Sequence, residues 1–204
     1  MSDQAVNRIK RAANAAGWYG KLPGLGDFAM RRLPPAFVSR WDDWLQCGLH
    51  TMRELPSGDQ DTLAPVCRFW LADNVVDGSA WGGLLMPSAD RTGRRFPLTV
   101  AQPMGTLAQA IAARRWFSSV VAAMRFSLDN EHTLDDFEEC LSALSPPPIR
   151  AASRADELLA AQVRNGAAAC SVWWRHGAAN AEEFLLWPGL PEPAALATLL
   201  EGPR

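Results

Sequence analysis

Phe37, Trp41, Trp44, Leu45, Gly48, Leu49 and Met52 recur three and four residues apart, the spacing of one face of an α-helix. Pro34 and Pro35 precede the run, where a fixed proline φ suits the first helical turn. A stripe carrying two indoles and a phenyl ring is too wide for a helix bathed in water. It requires a sheet beneath it, with Arg40, Asp42, Asp43 and Arg53 turned outward. Leu55-Pro56-Ser57-Gly58-Asp59 supplies the stop signal.

Short aromatic and β-branched runs supply that sheet. Residues 17–21, bounded by Gly and Pro, read as a first strand, and residues 66–71, 80–86 and 96–100 as three more. The connections between those three are short turn sequences, which implies antiparallel neighbours. Residues 168–174 and 183–187 form a last pair across an Arg-His-Gly turn. Helices are expected over residues 107–126, 134–144, 155–163 and 192–200. Thr133 caps the second of these, and Asp135 and Asp136 complement its dipole. Ser145-Pro146-Pro147-Pro148 cannot continue a helix, so a subdomain joint is expected near residues 145–149. Strands in groups with helices between them give an α+β fold, a largely antiparallel five- to six-stranded sheet covered by helices. Residues 1–16 read as a flexible or helical N-terminal extension, and 17–204 as one domain.

Composition narrows the function. The 204 residues are 48% hydrophobic and 21% charged, enough apolar surface to offset chain entropy. A net charge of −2 provides no basic field for nucleic acid or anionic lipid. No apolar window approaches the roughly 18 residues of a spanning helix, so membrane insertion is not expected. Cys47, Cys67, Cys140 and Cys170 are too dispersed for a zinc or redox motif and read as buried thiols of a cytoplasmic protein. Nine tryptophans against one tyrosine suit core packing for six or seven of them and interface anchoring for the remainder.

The stretch GWYGKLPGLGDF, residues 17–28, looks superficially like a phosphate loop. Lys21 is followed by Leu22 where a Walker loop needs Ser or Thr, and Gly24-Leu25-Gly26 lacks the third glycine of a dinucleotide fingerprint. A tight corner remains, with Pro23 fixing its entry and Asp27 bonding nearby amides. Lys21, one of two lysines among eighteen arginines, either pairs with Asp27 or faces a partner. A second stretch, residues 86–98, gathers Asp90, Arg91, Arg94 and Arg95 around Gly93. Arginine forks grip carboxylate or phosphate, so this is the best candidate for an anionic partner, against a merely solvated loop. A third, SVWW, sends Trp173 and Trp174 to opposite faces of a strand. One is core, and the other lies under a helix or is an exposed anchor.

Catalytic signatures are absent. His50, His132 and His176 fall in no HExxH pattern, and no G-x-S-x-G elbow occurs. Asp135-Asp136 and Glu138-Glu139 are better explained by a helix start than by a metal. No catalytic residue, cofactor or metal is therefore expected.

The pieces GWYGKLPGLGDF, LPPAFVSRWDDWLQ, WGGLLMPSADRTGRRFPL, SVWW and LLWPGLP, in that order, resemble the type VI secretion system-associated TagF family. The resemblance covers about residues 17–191. It implies a non-enzymatic cytoplasmic negative regulator that restrains type VI secretion assembly after translation, through a forkhead-associated scaffold protein. It does not identify contact residues. Lys21, Asp27, Asp90, Arg91, Arg94, Arg95 and one of Trp173 or Trp174 are the candidates drawn from loop chemistry. The competing expectation is an enzyme or ligand-binding domain for a phosphorylated or anionic small molecule, clamped by Lys21, Arg91, Arg94 and Arg95 converging in one pocket.

Overall fold

A computed structural model describes residues 15–52, 66–144, 152–167, 170–176 and 182–200. Seven strands build one sheet: β1 (Gly17–Gly20), β2 (Ala29–Arg31), β3 (Cys67–Leu71), β4 (Trp81–Met86), β5 (Leu98–Pro103), β6 (Ser171–His176) and β7 (Glu182–Trp187). Their order is β2-β1-β5-β4-β3-β6-β7, and every neighbouring pair is antiparallel. The expected α+β class holds, with seven strands rather than five or six. The additional strand is β2, three residues at the sheet edge.

The helices are α1 (Pro35–Thr51), α2 (Leu107–Ala112), α3 (Arg114–Asp129), α4 (Leu134–Ala143), α5 (Arg154–Arg164) and α6 (Ala195–Leu200). The single helix expected over residues 107–126 is two. A capping box between Thr106 and Gln109 starts α2, and α3 begins directly after Ala113. Thr133 and Asp136 form a second capping box at α4, as the sequence signal required. The stop signal at 55–59, the joint near 145–149 and residues 1–14 lie outside the described residues.

Strand register sorts the side chains into two layers, because partners across a ladder share a face and successive residues alternate. One row runs Gly17, Ala101, Gly83, Phe69, Trp173 and Leu185 across six strands. The α1 helix lies on this face. Trp41 stacks on Trp173 with ring centroids 5.9 Å apart, touches Phe69 at 4.9 Å, and donates its indole N–H to Thr99 Oγ1 at 2.8 Å. The adjacent row, Trp18, Val100, Leu84, Arg68, Trp174 and Phe184, faces the other way. There Trp18 meets Phe137 of α4 at 5.2 Å and Trp174 meets Phe117 of α3 at 5.4 Å. The architecture is thus α1 and α6, sheet, then α3 and α4 on the far side.

Eight of the nine tryptophans are buried and Trp187 is half-buried, so packing uses more of them than the six or seven expected. The thiols divide: Cys67 and Cys170 are buried, Cys140 is half-buried and Cys47 is exposed. Burial pushes the Cys67 thiol up to about 12, so it stays protonated. Among the described residues no helix is long and apolar enough to cross a membrane.

Candidate functional site

The glycine corner and the basic loop, 69 positions apart at Lys21 and Asp90, fold against each other. Strand β1 ends at Gly20, whose φ of 141° and 2.4 Å approach of a built Cβ to the Pro97 carbonyl oxygen leave no room for a side chain. The chain then turns across β5's entry. Ser88 donates to the Lys21 carbonyl at 2.7 Å, and the Arg91 amide donates to the Leu25 carbonyl at 2.9 Å. At Gly24 the backbone runs so close to the α3–α4 turn that a Cβ would lie 2.3 Å from the His132 oxygen.

Asp90 is the hub of this junction. Its carboxylate is fully removed from solvent and accepts from Lys21 Nζ at 3.0 Å, from Arg94 Nε at 2.7 Å, and from Thr92 through both its amide (2.9 Å) and hydroxyl (2.7 Å). The Arg94 amide adds a fifth bond at 3.0 Å. Burial pushes the Asp90 carboxyl up, but the bonds from Thr92, Lys21 and Arg94 outweigh it and hold the group well below the ordinary carboxylate range. Lys21 also sits over the Phe28 ring, 4.8 Å from its centroid. Arg94 reaches across to donate to the Gly26 carbonyl.

Around the hub lies an aromatic group. Phe28 stacks on Tyr19 at 6.1 Å and meets Phe96 edge-on at 4.7 Å. Burial, and then the hydrogen bond to Asp42, push the Tyr19 hydroxyl above its ordinary range, so it remains the donor to that carboxylate. Phe28 and Met30 stay exposed, at 45% and 47%.

The structure brings together Lys21, Asp90 and Arg94. Neither alternative for Lys21, pairing with Asp27 or facing outward, is what the chain adopts: Asp27 is exposed and accepts from the Phe28 amide at 2.8 Å, while Lys21 is buried on Asp90. Arg91 and Arg95 are exposed on the loop. The Arg91 guanidinium comes within 3.7 Å of a Cβ built at Gly26. Neither Trp173 nor Trp174 is an exposed anchor: both are buried, the first under α1 and the second under α3. The reason is that helices cover both faces of β6, so alternation exposes neither residue.

Sequence reasoning missed a second cluster. Glu138 of α4 accepts from the Trp18 indole and from Arg32, whose guanidinium grips it in a fork and also donates to the Ala15 and Ala16 carbonyls. Arg32 itself sits at a φ of 60°, directly after β2, a constrained position that nothing in the local sequence announces. Among the described residues no three His, Cys, Asp or Glu side chains gather as a metal centre.

The corner and the loop both lie within residues 17–144, which match the family described as TagF N-terminal domain, type VI secretion system-associated. The chain belongs to the TagF family. Likeness to a solved structure extends beyond residue 144. The crystal structure of PA0076 from Pseudomonas aeruginosa PAO1 is 33% identical, covers 93% of this chain and 96% of its own, and superposes with a TM-score of 0.74. No curated protein matched the chain.

Proposed function

We propose that this TagF-family chain is a non-enzymatic, cytoplasmic regulator that restrains assembly of the type VI secretion apparatus after translation by binding a forkhead-associated scaffold protein. The family match over residues 17–144 carries the reading, since it ties the chain to type VI secretion. The geometry adds a reason to favour docking over anion chemistry. An external anion would need Lys21 and the arginines unoccupied, whereas Lys21 and Arg94 already share the chain's own Asp90. Displacing that carboxylate from five bonds is costly in a buried setting. The basic loop therefore acts as a brace under a binding surface.

The test is made in a bacterium that carries the secretion apparatus. Deleting the chain raises release of the apparatus's secreted components, and overproducing it suppresses release with the scaffold protein's abundance unchanged. Secretion that ignores both manipulations overturns the proposal.

A further inference from the structure

We infer that the free edge of β2 is a strand-addition site for an acidic, extended segment of the protein partner. The inference rests on the docking role proposed above and deepens it.

Among the described residues β2 pairs only with β1, through Trp18–Arg31, Tyr19–Met30 and Gly20–Ala29, and stands last in the sheet. An unpaired strand edge offers main-chain donors and acceptors that an extended peptide can take up. The Met30 carbonyl oxygen accepts from Arg31's own exposed guanidinium at 2.8 Å, a bond an incoming amide can replace. Side-chain grip comes from Phe28 and Met30, two of the five large apolar side chains exposed in the described chain. Phe28 is already held by Tyr19, Phe96 and Lys21, so binding orders little that is loose.

Charge selects the occupant. Arg31 and Arg91 are exposed around the edge, with the Arg91 guanidinium 3.7 Å from where a Cβ at Gly26, two residues before Phe28, would stand, while Arg94 is paired with Asp90. The neighbouring Asp27 carboxylate is folded onto the Phe28 amide. A basic rim repels a second copy of the same edge and favours glutamate- or aspartate-bearing segments. Residues 1–14 carry Arg8, Lys10 and Arg11 against Asp3, the wrong sign for this rim.

The experiment reads hydrogen exchange at residues 29–31 of the full chain, free and with two probes: the purified forkhead-associated scaffold protein, and a synthetic peptide alternating glutamate with valine. Expected is fast exchange in the free chain and protection with either probe. Affinity should fall about tenfold or more in the Met30→Glu, Arg31→Glu double variant. Leu186→Glu on the opposite edge strand should leave it unchanged. If the scaffold binds but residues 29–31 gain no protection, the edge is not the site although the docking role stands. If the scaffold does not bind, the docking role falls, and the peptide alone decides the edge. Slow exchange in the free chain, or no protection with either probe, overturns the inference.

Discussion

The Lys21 ammonium lies 3.0 Å from Asp90 Oδ2, with 6% of one side chain and none of the other open to solvent. This pair locks the turn after β1 onto the loop between β4 and β5. Removing one partner of a buried ion pair strands the other charge. Lys21→Met is expected to cost about 3 kcal/mol, the low end of such losses because Arg94 and Thr92 still hold the carboxylate. Urea unfolding of the variant beside wild type measures it.

The depressed Asp90 carboxyl fixes a pH dependence. Its folded pKa lies below its unfolded value, so the unfolded chain binds the proton more readily. The stability it contributes is therefore present above the unfolded value of about 3.9 and is lost as pH falls toward the folded one. The gap in stability between wild type and Asp90→Asn should stay level from about pH 8 to pH 5 and narrow below about pH 4. A gap that instead widens in acid contradicts this account.

Trp41 joins α1 to three strands, through Phe69, Thr99 and Trp173. Trp41→Ala is expected to cost roughly 3–5 kcal/mol, the range for truncating a buried indole. Thr99→Val keeps the shape but leaves the Trp41 N–H without an acceptor, at about 1–3 kcal/mol. Thermal melts of both variants test the order of the two losses.

Charge reversal separates the two loop arginines. Arg91 is exposed and forms no ion pair among the described residues, so Arg91→Glu should change stability by under about 0.5 kcal/mol. Arg94→Glu places a second carboxylate beside Asp90 and should lower the melting midpoint measurably. Arg91 is accordingly the clean position for asking whether the basic rim binds a partner, and its reversal should weaken capture without altering the fold.

The parts of this fold legible in the sequence are those written in local pattern. The α1 stripe, the Thr133 cap and the grouped strands each depend on residues a few positions apart. The β2 strand escaped because three residues carry no readable alternation; pairing with β1 and the Arg32–Glu138 fork hold it in place. The sequence leaves Lys21 a choice between the nearby Asp27 and an outside partner, whereas its actual partner Asp90 comes from a loop that only sheet assembly brings close. Trp173 and Trp174 were correctly sent to opposite faces, yet the cover over both faces depends on α1 and α3 together. Glu138 read as a dipole carboxylate because its partners Trp18 and Arg32 lie more than a hundred residues upstream.

The most direct measurement of the central claim is a calorimetric titration of the purified forkhead-associated scaffold protein with the full chain, repeated with Arg91→Glu. The account predicts saturable binding by wild type, weakened by the reversal while both proteins melt at the same temperature. No heat of binding, or equal affinity for the two, contradicts it.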